Sequence, residues 1–314
     1  MKSISELTEF YYHNLYPVLV ELDKKRESIK FRIILAVCGI GLFDFIFLTY
    51  MNDEIYWLIV VNIIILSIIY KYLTRDYKQE FKDSVIAPLV VEIDKNLSYM
   101  KNAYIDKKSF ERSKIFTLPP DKLSGNDYIH GTIDGVKIEF SDIYAQKKET
   151  NSKGETNWKT IFQGLFIVSQ FNKNFKAETV VLPDGAQSSF GSLIGGWLQA
   201  HNMNRDELVK MDSIEFEKQF VVYSSDQIEA RYILTNSLMD RLLTFQRKSK
   251  HRLSVSFVNS QIYMAIEYGK DLFEPTIFNS LLKYKTALEY IYTLHLAVGI
   301  VEELKLNEKL WSKT

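Results

Sequence analysis

The sequence predicts an α+β protein: a two-helix transmembrane hairpin with a helical stalk, followed by a mainly antiparallel β-sheet domain with packed helices. Three observations carry this reading. Two apolar runs, Ile33 to Tyr50 and Ile55 to Tyr70, are separated only by a short polar turn around Asn52, Asp53 and Glu54. A proline-bearing block recurs on either side of those runs. After Phe110 the apolar residues change from helical spacing to alternation, interrupted by turn dipeptides.

Each apolar run approaches the length that crosses a hydrocarbon core of about 30 Å as a helix. Lys24, Lys25, Arg26, Lys30 and Arg32 precede the first run, and Lys71, Arg75, Lys78 and Lys82 follow the second, whereas the turn carries acids alone. Lys and Arg collect on the cytoplasmic side, so two spans with both termini and the large domain cytoplasmic are expected. A signal peptide is excluded on position, because some thirty polar and amphipathic residues come first and no small-residue cleavage site follows. Buried core helices of a soluble domain are the competing reading, and they leave the flanking charge asymmetry unexplained.

Composition fits a tethered, water-facing chain. Of 314 residues 25% are charged, the mean hydropathy is −0.11 and the formal net charge is zero. That balance offers no general attraction to nucleic acid, which is not expected as a partner. Cys38, inside the first span, is the single cysteine, so neither an intrachain disulfide nor a cysteine metal cluster can form.

The repeated block runs from Phe10 to Lys24 and again from Phe81 to Lys95. Phe10/Phe81, Pro17/Pro88, Val20/Val91, Glu21/Glu92, Asp23/Asp94 and Lys24/Lys95 coincide. Both prolines sit about 25 Å from the spans at 1.5 Å of helical rise per residue. A coiled-coil-like stalk of two antiparallel helices is therefore expected. Ser3 and Glu6 form a capping-box pattern, and Leu7, Tyr11, Leu15, Val18 and Leu22 recur at spacings of three and four. Phe81, Val85, Leu89 and Ile93, then Leu97 and Met100, give the second helix its stripe. Each proline should kink or break its helix. The expected divisions are 1–32 for the first stalk helix, 33–70 for the hairpin, 71–110 for the second stalk helix and 111–314 for the cytosolic domain.

Asp44 is the one carboxylate of the first span, and Asn62 is the strongest hydrogen-bonding side chain of the second. Their similar distance from the turn predicts an intramembrane polar pair. A hydrogen bond that sets helix register is one reading, and an ion route built from several copies is the other.

In the cytosolic part, strands are expected at Tyr128–Ile133, Val136–Tyr144, Trp158–Ser169, Thr179–Leu182, Gln219–Tyr223, Leu253–Val258 and Gln261–Glu267. Asp134-Gly135 and Asn259-Ser260 mark tight hairpin turns, with a looser one over residues 151–154. Helices are expected at Ser237–Lys248 and Tyr284–Leu306, and a loop with a short helix around Trp197 over 188–204. Seven strands before a long C-terminal helix also suit a pleckstrin-homology-like module, by fold analogy alone.

The segments Ile161 to Phe175, Val180 to Asp184, and Phe220 to Leu234, with the hairpin after a Phe-Tyr-Tyr-rich start, resemble the bacterial family named domain of unknown function 3137, over nearly the whole chain. The resemblance implies a bacterial membrane protein and carries no activity or catalytic residue; with the span topology, the bacterial inner membrane is the expected location.

No motif supplies chemistry. The five histidines have no ligand spacing, and Gly191, Gly195 and Gly196 lack the Lys-Ser/Thr ending of a phosphate loop. No Gly-x-Ser-x-Gly elbow occurs, so no catalytic residue, metal ligand or cofactor is nominated. Asp226, Glu229 and Arg231 form the densest charged cluster, read either as a brace at a turn or as a polar binding site. Trp158 and Trp197 are candidate exposed anchors among 14% aromatic residues. These features point to a non-enzymatic scaffold that presents its cytosolic domain to a protein or lipid partner, with membrane lipids around the hairpin. The alternative is a membrane-bound enzyme acting on a lipid or envelope precursor. Homo-oligomerisation through Ala36, Gly39 and Gly41, where helices can approach closely, is a third reading.

Overall fold

The computed structural model describes residues 2–50, 55–150, 154–171, 173, 175–184 and 207–306. They divide into two compact units: a helical one made of Lys2–Glu92 with Phe273–Tyr292, and a sheet unit made of Ile93–Leu272 with the residues from Thr293 onward.

In the helical unit, α1 (Ile4–His13) opens on the capping box, with Glu6 N–H donating to Ser3 Oγ and Ser3 N–H to the Glu6 carboxylate. The chain breaks after His13 and resumes as α2 (Tyr16–Tyr50), which places Pro17 in a first turn where its missing N–H costs little. Pro88 is accommodated differently. Helix α3 (Ile55–Phe81) widens into a π-helical turn at Lys82–Ile86 before α4 (Ala87–Ile93), and Ala87 N–H reaches back to Lys82 O. A π turn of this kind absorbs the proline without ending the helix. The repeat shares an inward phase: Tyr11 and Lys82, Leu15 and Ile86, Leu19 and Val90, and Leu22 and Ile93 are all buried.

Helices α2 and α3 form an antiparallel hairpin. Lys25 pairs with Glu80 at one level and Asn62 with Asp44 at another, so the partner residue falls as the first rises. Both helices are long and apolar enough to cross a membrane. None of the most apolar stretch of the first is buried, and only 6% of that of the second. A soluble core helix would be mostly covered by protein; here Phe43, Phe45, Trp57 and Ile68 are exposed.

Residues 273–292 fold onto the stalk helices. Lys82, 2% exposed, lies 2.9 Å from one oxygen of Glu274, and Lys78 lies 2.9 Å from the other. Arg26, also buried, bonds Asp23 and donates to Ile277 O at 2.9 Å, while Asp23 accepts Leu281 N–H. Tyr11 donates to Leu281 O and Tyr290 to Glu274 O, and burial raises both hydroxyls above the usual phenol range.

Two sequence expectations change here. Leu97–Met100 is strand β1, not a continuation of the helix. Asp94 stops α4, because its carboxylate accepts Asn96 N–H and its carbonyl accepts Leu97 N–H, an Asx-turn that redirects the chain. The last long helix is also shorter than read, since the α-helix starting at Tyr284 ends at Val298 and a separate turn, Ile300–Glu303, follows.

In the sheet unit, nine described strands form one antiparallel sheet, with β2 (Lys122–Ile133), β3 (Val136–Thr150), β4 (Thr156–Gln170), β5 (Thr179–Pro183), β6 (Glu207–Val209), β7 (Phe220–Ser224), β8 (Arg252–Val258) and β9 (Gln261–Glu267). Their order is β1-β2-β3-β4-β9-β8-β5-β7-β6. Both tight hairpin turns have two consecutive positive φ angles, Asp134 and Gly135 at 48° and 80°, Asn259 and Ser260 at 50° and 60°. Turns of that hand match the twist of the strands they join. Helix α5 (Lys107–Arg112), capped by Asp106, presses Phe110 onto one sheet face. There it joins Phe116, Phe162, Phe166 and Tyr263 over Ile143, Ala145 and Ala265. The remaining helices among the described residues are α6 (Ile214–Glu217), α7 (Gln227–Ile233), α8 (Asn236–Ser249), α9 (Tyr284–Val298) and α10 (Ile300–Glu303).

Burial opposes ionisation of Glu274, but the attraction and hydrogen bonds of Lys82 and Lys78 prevail and hold its carboxyl below the ordinary value of 4.5. Its stabilising contribution is complete above that ordinary value and is lost as pH falls through the lower folded one. Lys82→Met should lower stability by about 1.5–3 kcal/mol at neutral pH, because Glu274 loses its buried charge-assisted partner and keeps only Lys78. Equilibrium unfolding of wild type and variant should show this gap shrinking in acid.

Candidate functional site

The sheet face covered by α5 does not stay covered along its whole length. Ile105 N–H donates to Ser141 Oγ at 3.0 Å, and beyond that point β3 presents Glu139 and Lys137 where it presented Ile143 and Ala145 before. β2 adds Tyr128, His130 and Thr132 in the same phase, and β4 and β9 add Val168, Gln170 and Gln261. The result is a groove of about 490 Å³ across four strands. Register places these residues side by side: His130 opposes Glu139, Thr132 opposes Lys137, Glu139 opposes Val168 and Gln170 opposes Gln261.

The groove has an aromatic plate and a polar rim. Tyr128 and His130 stack with ring centres 5.0 Å apart. The Tyr128 hydroxyl donates to Glu139, and burial, reinforced by that carboxylate, keeps the phenol protonated well above its usual range. Tyr263 donates to Gln261 Oε1 at 2.6 Å and so fixes its amide. Gly131 lies in the floor, where a Cβ would stand 2.2 Å from Asn96 O, so only glycine lets the chain before β1 pass this close. Ser169 is buried and donates to Lys137 O at 3.0 Å, an arrangement that positions backbone and leaves it unsuited to nucleophilic attack. Chemically the groove can stack a flat or apolar face and hydrogen-bond polar groups around it.

The residues singled out from sequence fall elsewhere. Asp226 is the N-cap of α7 and accepts Ile228 and Glu229 N–H. Glu229 accepts the backbone N–H of Lys176 and Ala177, and Arg231 donates to Lys210 O. No ion pair joins Arg231 to either carboxylate among the described residues. All three therefore hold backbone, and they share no cavity among those described. Trp158 is 52% exposed near the start of β4, opposite Lys148. Trp197 lies outside the described residues. In the helical unit Asn62 Nδ2 donates to Asp44 Oδ2 at 2.7 Å, and Asp44 Oδ1 is buried without a hydrogen-bond partner among the described residues. No group of three or more His, Cys, Asp or Glu able to hold a metal occurs among the described residues.

The groove residues carried a signal that sequence reading passed over. Tyr128, His130, Thr132, Lys137 and Glu139 flank the Asp134-Gly135 turn in strict alternation with Ile129, Ile133, Ile138 and Phe140. Further along β3 the same phase becomes apolar at Ile143 and Ala145, which reveals a two-sided strand polar on one face at one end only.

Glu229→Ala should cost about 1–3 kcal/mol, because two backbone donors lose their acceptor, without altering ligand capture at the groove. Tyr128→Phe should cost about 2 kcal/mol for its charge-assisted bond and should weaken capture as well. Chemical denaturation of both variants, paired with crosslinking from the groove, separates the two roles.

No curated protein matches the chain. Among solved structures, the crystal structure of the mycobacterial trehalose monomycolate transport factor A, TtfA, aligns with 70% of this chain and 93% of its own, at 12% identity and a TM-score of 0.35. A family model described as "Protein of unknown function (DUF3137)" matches residues 160–306, a span that begins within β4 and contains the segments from Ile161, Val180 and Phe220 but not the hairpin, so the likeness covers part of the chain rather than nearly all of it.

Proposed function

We propose that this chain is a membrane-anchored binding protein of the bacterial inner membrane. Helices α2 and α3 cross the bilayer with both chain ends cytoplasmic, and the sheet unit receives a protein segment or lipid headgroup at the groove between Tyr128 and Gln261. The observation that carries the anchor is the uncovered state of the apolar stretches of α2 and α3. Side chains such as Phe45 and Trp57 find an apolar environment only in lipid. The charge asymmetry around them supports the orientation.

Recognition rather than catalysis is supported by the composition of the groove. Its Glu139 is engaged by Tyr128 and its Ser169 by backbone, which suits binding better than nucleophilic attack by either. The Asp44–Asn62 bond fits the role of a register lock within the hairpin, because a polar pair in hydrocarbon holds two helices at one relative height.

Two measurements test this. A membrane-impermeant maleimide should label Asn52→Cys from the outside of intact cells and Asp134→Cys only after lysis, in a Cys38→Ser background; the reverse pattern overturns the orientation. A photo-crosslinking residue at Thr132 or Gln170 should trap a defined adduct in cells, and one at Asp226 should not; equal trapping at all three would remove the groove as the recognition site.

A further inference from the structure

A second hollow in the sheet unit, of about 360 Å³, opens where α8 ends and β8 begins. Gln219, Leu243, Gln246, Arg247, Lys250, His251 and Arg252 line it. Its charge is one-sided, but not every cation is available. Arg247 is held by Glu215, and the neighbouring Lys248 by Glu303. Neither Lys250 nor Arg252 has an ion-pair partner among the described residues. Glu267 opposes Arg252 in register without pairing with it.

Two further features separate this hollow from an ordinary helix end. Lys250 occupies the left-handed position after α8 at φ 59°, where glycine is the usual residue and a side chain is strained. Its own N–H already closes the helix on Gln246 O, so the lysine side chain is not needed for that bond. Gln246 Oε1, in the same wall, is buried and has no hydrogen-bond partner among the described residues. Such an atom is met by water or by a hydroxyl or amide of a bound molecule, and its place in the wall makes it available to either. His251 packs against Tyr268 at 4.0 Å, and burial lowers its basicity more than its bond to the Glu267 backbone raises it, so it acts as an uncharged wall.

We propose that this hollow binds a phosphate ester, its phosphoryl group taken by Lys250 and Arg252 and a hydroxyl of its organic part meeting Gln246. A bare anion would use the two cations and leave Gln246 unserved. The organic part also accounts for a hollow larger than one phosphate. The ester is either a soluble metabolite or a lipid headgroup, which present the same chemistry. The rival role for Lys250 and Arg252 is only to offset the negative end of α8.

The full chain in phosphatidylcholine nanodiscs should bind glycerol 3-phosphate by titration calorimetry, and more tightly than inorganic phosphate. Lys250→Gly suits the left-handed backbone, so it should raise the unfolding midpoint while weakening glycerol 3-phosphate at least tenfold. Arg252→Gln should weaken it similarly, and Gln246→Leu should abolish the preference over inorganic phosphate. Nanodiscs containing phosphatidylglycerol distinguish the sources: loss of the calorimetric signal there that persists at raised salt assigns the site to the headgroup, and retention of the signal assigns it to a soluble ester. Absence of binding at millimolar ester, or equal binding by wild type and both cation variants, would overturn the proposal and leave the cations to the helix end.

Discussion

Glu274 is the residue on which the helical unit closes. One carboxylate lies between Lys78 and Lys82, and Lys82 is buried, so the ion pair offsets much of the cost of taking its charge out of water. Around it, Asp23 and Arg26 do the same for the backbone at Ile277 and Leu281. These bonds are specific in a way that apolar burial is not, because each fixes one atom of residues 273–292 against one atom of the stalk. The repeat supplies the frame for this, and its two copies have diverged at the position that matters. Where the first block has Tyr11, donating to Leu281 O, the second has Lys82, reaching Glu274.

In the sheet unit a different constraint governs: both faces must be apolar where helices cover them and need not be where they do not. Phe110 and its ring partners close one part of a face, and the same strands turn polar past Ser141. The groove is thus a by-product of where α5 stops, and its floor is as rigid as the sheet. A site on strands is held more firmly than one on loops, and the cross-strand pairs Thr132/Lys137 and Gln170/Gln261 fix its spacing.

Much of this was legible from residue order alone, and the failures share a cause. Strand alternation and the Asp134-Gly135 and Asn259-Ser260 turns are local, so the meander could be read with boundaries off by a few residues. The hairpin was legible because two successive apolar runs, each near the length of about twenty residues that spans a bilayer, are rare in a chain that folds wholly in water. Leu97 and Met100 misled because four residues satisfy helical and strand spacing alike, and the Asx-turn at Asp94 decided between them. The cluster at Asp226, Glu229 and Arg231 left two readings open because charge density says nothing about whether an acid meets a ligand or a backbone N–H; its bonds to backbone fit the brace. The groove draws from residues 128 to 261, and the Lys82–Glu274 bond spans nearly two hundred residues; neither has a local signature.

That separation along the chain also sets an order of events. During synthesis α1 to α4 emerge first, and the apolar helices are available to lipid long before residue 273 exists. Until then Lys82 and Tyr11 have no partners from the carboxyl-terminal part and must remain hydrated. The whole sheet, with its slow non-local pairing, is made in the interval. Completion of the helical unit therefore reports that the ribosome has finished the sheet, and a chain that stops before residue 273 would carry an open stalk, with the Lys82 and Tyr11 side chains left to water.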